Sequence, residues 1–116
     1  MADFDDFKQA VQAGLDDLAV NTIGDYADAA RVRANNFLVD AQQDLEKWLN
    51  QLGSGELSAD DFEFLVKGKA ELGQINALLE IGAAKAAVDR FRAGFIQVLK
   101  DSALAFMPEL VYLTRR

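Results

Sequence analysis

The sequence predicts an all-α protein built as an antiparallel helical hairpin of two long helices. Apolar residues recur every three or four positions along most of the chain, and no stretch alternates with period two. The single proline, Pro108, lies near the end, so no proline interrupts the pattern before it. One turn-forming stretch, Leu52-Gly53-Ser54-Gly55-Glu56-Leu57, falls near the middle of the 116 residues, where the pattern must reverse. By length the chain is a single helical domain, residues 1–116, with a first arm over 3–52, a turn at 53–57, a second arm over 58–107 and a C-terminal tail at 108–116.

Phe4, Phe7, Val11, Leu15 and Leu18 mark one face of a first helix over residues 3–19, with Asp3, Asp5 and Asp6 favouring its N-terminal dipole. Val20-Asn21-Thr22-Ile23-Gly24-Asp25 then lowers helix propensity, and Thr22 with Asp25 has the spacing of a capping box. The first arm is therefore kinked or broken near 20–24. The apolar phase resumes with Ile23, Tyr26, Ala30, Phe37, Ala41, Leu45, Trp48 and Leu52, which fits one bent helix of about fifty residues as well as two. Gly53 suits the left-handed position that ends it.

Ser58 and Asp61 form a capping box for the second arm, with Leu57 and Phe62 as its hydrophobic staple. A continuous helix from there to Met107 would be on the order of 75 Å long. The central turn sets a register in which facing residues i and j satisfy i + j of about 110. It pairs Phe4 with Phe106, Val11 with Leu99, Leu15 with Phe95, Tyr26 with Ala84, Phe37 with Gly73 and Trp48 with Phe62. Small residues in the second arm, from Ala70 to Ala87, face the large rings of Tyr26 and Phe37, the interdigitation that close helix packing needs.

The second arm carries more apolar surface than one partner covers. Phe62, Val66, Val88, Phe91, Phe95 and Val98 form one stripe; Leu65, Leu72, Ile75 and Leu79 form a second, displaced by roughly 90° on a helical wheel. Two arrangements cover it: self-association of hairpins through Leu65, Leu72, Ile75 and Leu79, or a three-helix bundle in which the first arm folds back at 20–24. The continuous phase across the break favours association. Arg33 and Glu80 fall on the two facing stripes and are expected to form an interhelical ion pair that fixes the register.

Chemistry-bearing patterns are scarce. The chain has no Cys and no His, which removes thiolate nucleophiles, disulfides, Cys-based zinc sites and the commonest general base. Gly53-Ser54-Gly55 follows no strand and reads as a turn, not a phosphate loop. The expectation is a non-enzyme with no cofactor, no metal and no small-molecule substrate. The net charge of −7 resides mostly in residues 1–28, which hold seven Asp against Lys8; this argues against nucleic acid as a partner.

The acidic opening lacks the basic region of a signal peptide and no apolar run reaches the length of a membrane span, so a signal-less, cytoplasmic protein is expected. A virion component or signal-less secretion fits the same pattern. The function expected is that of a structural or assembly protein, a hairpin that self-associates or packs as a subunit of a larger complex. The alternative is an amphipathic protein that lays Phe91, Phe95, Ile96, Leu99 and Phe106 on a membrane surface or an apolar partner. Overall acidity opposes anionic lipid.

Overall fold

The computed structural model describes residues 4–105, apart from the side chains of Ala70, Glu71 and Ala105. The helix start at residue 3, the Phe4–Phe106 pairing, the end of the second arm at 107 and the tail at 108–116 lie outside the described residues. Among the described residues there are five α-helices, two 3₁₀ segments and no strand.

Helix α1 spans Phe4–Ile23 and buries Phe4, Phe7, Val11, Leu15, Ala19 and Ile23, the face that the three-and-four spacing predicts. It ends at Gly24, whose φ of 55° lies in the left-handed region, within a 3₁₀ turn over Gly24–Tyr26. The Thr22 hydroxyl donates to the Leu18 carbonyl instead of capping this turn, so the expected Thr22–Asp25 box does not form. The chain reverses here. Helix α2, Ala27–Asp40, runs back along α1, with the Gln12 amide donating to Asn35 at 3.0 Å and Arg31 beside Asp16 at 3.8 Å. Ala27, Ala30 and Ala34 are small enough to let the two backbones approach. A straight first arm is thus replaced by a folded one.

Helix α3, Gln42–Ser54, continues the same column after a bend at Ala41, where the bonds Ala41 N–H to Phe37 and Leu45 N–H to Ala41 carry the ladder through. Its end corrects the expected cap: Gly55, with φ of 85°, takes the left-handed position, and the helix runs through Gly53. Helix α4, Ala59–Lys67, starts on the capping box read from the sequence, with Asp61 N–H donating to Ser58 Oγ at 3.0 Å and Ser58 N–H to Asp61 Oδ2 at 3.3 Å.

The continuous helix expected over 58–107 is broken twice. Lys69 is extended, and Ala70–Leu79 forms a 3₁₀ helix ten residues long. Its buried side chains, Leu72, Ile75 and Leu78, are spaced by three, and a 3₁₀ helix with three residues per turn aligns them on one side. A second turn follows at 80–84, with Gly82 at φ of 110° and Ala83 N–H bonded back to the Leu78 carbonyl. Helix α5, Lys85–Ala105, then packs against α1, α4 and the 3₁₀ helix.

Four antiparallel columns result: α1, α2 with α3, α4 with the 3₁₀ helix, and α5. Trp48 meets Phe62, Asp44 pairs with Lys69, and Gln74 donates to Asp40, which aligns the second and third columns. Lys100 reaches Glu63, and Arg92 reaches Asn76, which aligns the third and fourth. Gly14 lies against Val98 and Gly94 against Leu18, closing the fourth column on the first at glycines where a side chain would not fit freely. The molecule measures 46 × 24 × 23 Å, far shorter than a two-rod hairpin. Phe91, Phe95, Ile96 and Leu99 all face its core, and Phe106 lies outside the described residues. No described helix is long and apolar enough to cross a membrane.

Candidate functional site

A groove of about 670 Å³ lies where α4 and the 3₁₀ helix run along α5. Its floor is apolar, from Leu72, Ala93 and Ile96, and its walls are charged, from Glu63, Lys67 and Lys69 on one side and Asp89 and Arg92 on the other. The volume is in the range that small ligands occupy.

The charges of the walls are matched within the protein. Glu63 accepts from Lys100 Nζ at 2.9 Å through one carboxylate oxygen and pairs with Lys67 Nζ at 2.9 Å through the other. Lys100 extends the pairing to Asp60 at 3.3 Å. The hydrogen bond from Lys100, followed by that from Lys67, holds the Glu63 carboxyl down at about 2. The same contacts raise Lys100, Glu63 contributing most. Across the groove, Asp89 is lowered chiefly by its hydrogen bond from Lys85, and Arg92 bridges Asp89 and Asn76. Lys69 pairs with Asp44 of α3.

These pairs tie α4 and the 3₁₀ helix to their neighbours. Among the described residues no group of three or more carboxylates could hold a metal ion, and no buried side-chain polar atom lacks a hydrogen-bond partner.

The residues singled out by the sequence fall elsewhere or apart. Leu72 and Ile75 belong to the intramolecular core, at 5% and 0% exposure, while Leu65 is half-buried and Leu79 is 39% exposed. They do not form one free face, because the 3₁₀ winding turns Leu78 inward in place of Leu79. Arg33 is half-buried and Glu80 exposed, and no ion pair joins them. Glu80 stands in the turn before Gly82, and it is Arg31 that pairs, with Asp16 and Asp28.

Two features escaped the sequence reading. The Glu63–Lys100 clasp depends on α4 meeting α5, which a two-rod register does not bring about. Phe64 is 75% exposed, and its position on the polar side of α4, between Asp61 and Lys67, was the available signal. Set against family models, curated proteins and solved structures, the chain matches none of them.

Proposed function

We propose that the chain is a non-enzymatic structural or assembly protein, a helical hairpin folded over on itself that self-associates or packs as a subunit of a larger complex. Phe64 carries this reading. A phenyl ring three-quarters in water, on a helix fixed by a capping box at its start and ion pairs to α5, is an anchor already held in place for a partner's pocket. Its presentation requires no rearrangement of the core, whereas laying Phe91, Phe95 and Leu99 on a membrane surface requires the bundle to open.

The test compares the unmodified protein with Phe64→Asp by light scattering across a concentration series. The expected result is an assembly that the substitution dissociates, with a change in folding stability within about 0.5 kcal/mol because the site is exposed. An unmodified protein of single-chain mass at every concentration counts against self-association, and an assembly whose mass Phe64→Asp leaves unchanged counts against Phe64 as its contact.

A further inference from the structure

We infer that this chain exchanges halves with a second copy of itself, opening at the two turns Gly24–Tyr26 and 80–84 to form a domain-swapped dimer. The inference needs neither Phe64 nor any surface pocket, so it goes beyond the assembly reading above.

The contacts of the bundle divide into two sets. Those that join α1 to α5, and α2–α3 to α4 and the 3₁₀ helix, follow one hairpin register: Gly14 with Val98, Leu18 with Gly94, Tyr26 with Gly82, Asp40 with Gln74, Asp44 with Lys69 and Trp48 with Phe62. The index sums of these pairs all stay near 110, so one long hairpin satisfies every one of them. The second set departs from that register. Gln12 with Asn35, Asp16 with Arg31, Phe37 with Phe95, and Glu63 with Lys100 exist only because the hairpin is doubled over.

Both fold lines lie at the same end of the molecule. The Tyr26 hydroxyl sits 2.8 Å from where a Gly82 Cβ would be, so the two turns touch and can open about one axis. Each turn rests on a glycine in the left-handed region, Gly24 at φ of 55° and Gly82 at φ of 110°. Neither turn contains proline, and the apolar helical phase runs through the first of them. Straightened, the hairpin keeps the first set of contacts and bares the surfaces that made the second. The surface that complements each bared half is the other half of an identical chain, so a second copy restores every lost contact across a two-fold axis. Val20, Leu79 and Ile81, three of the large apolar side chains left exposed in the folded-over chain, lie beside or within the two turns, where a dimer brings two copies of this end together.

The experiment combines turn substitutions with a reporter of connectivity. Gly24→Ala with Gly82→Ala disfavours the left-handed turns and favours continuous helix, so the dimeric fraction at equal concentration should rise by at least about ten-fold. The chain has no cysteine, so Gln12→Cys with Asn35→Cys supplies the sole pair of thiols, set apart by the span of the two side chains that meet at 3.0 Å. In the folded-over chain a short bis-maleimide closes it within one molecule; in the swapped dimer it joins two, giving a covalent dimer on a denaturing gel. The same cysteine pair in the chain with both glycines, warmed at high concentration to its unfolding midpoint and cooled, should also yield covalent dimers. That arm decides the matter if the alanine variant fails to fold. Dimers that cross-link only within each chain, or refolding that yields no interchain cross-link, would overturn the inference while leaving the Phe64 reading untouched.

Discussion

Phe37 of α2 and Phe95 of α5, both fully buried, meet edge to face with ring centroids 5.6 Å apart and planes at 82°. The hairpin register would place Phe37 opposite Gly73, so this contact is a product of the doubling-over. Truncating either ring to alanine should cost about 3–5 kcal/mol, since each leaves a large void in a packed interior. In a double-mutant cycle by urea unfolding, the pair should couple by about 0.5–1.5 kcal/mol. Additive losses would mean that the rings do not touch.

Lys100 governs the acid limb of stability. Glu63 is held at about 2 against an ordinary value of 4.5, so its paired carboxylate stabilises the fold fully above 4.5 and loses that contribution as the pH falls toward 2. Lys100→Gln removes the larger of the two causes. Its melting temperature should lie below that of the unmodified protein at neutral pH, and the two should converge as the medium is acidified through this window. Parallel curves from neutral pH to 2 would show that the clasp contributes nothing.

Much of the local structure was legible because local chemistry decides it. The Ser58–Asp61 box, the break near Gly24 and the Trp48–Phe62 contact were all read from spacing and turn chemistry. The first fold, back at 20–24, was read only as the alternative to a continuous arm and the second not at all, since an apolar phase repeats alike whether the chain runs on or turns back through a tight 3₁₀ turn. The groove followed from the same blind spot: Glu63 and Lys100 share no hairpin register and meet only after the second fold. The Arg33–Glu80 pairing rested on that register, but the turn at Gly82 carries Glu80 into water.

The end of α3 offers a backbone test. Gly55 is left-handed at φ of 85° with open space around it, so Gly55→Ala should cost about 1 kcal/mol from backbone strain alone. Gly73 is also exposed with open space, but its φ is not positive, so Gly73→Ala should be neutral or slightly stabilising. Equal losses in thermal unfolding would place the cap elsewhere.

The winding of Ala70–Leu79 yields the sharpest contrast, because two neighbouring leucines trade places between helix types. An α-helix of 3.6 residues per turn that buries Leu72 and Ile75 brings Leu79 to the same face, and the sequence alone favours that choice. A 3₁₀ helix brings Leu78 instead, and in the structure Leu78 is fully buried while Leu79 is 39% exposed. The rise of about 2.0 Å per residue also stretches ten residues roughly 5 Å beyond their α-helical length. Leu78→Ala should therefore cost about 2–5 kcal/mol, and Leu79→Ala should stay near 0.5 kcal/mol. Chemical denaturation of the two single variants decides between the windings. A larger loss at Leu79 than at Leu78 would restore the α-helical stripe of Leu72, Ile75 and Leu79, and with it the long second arm.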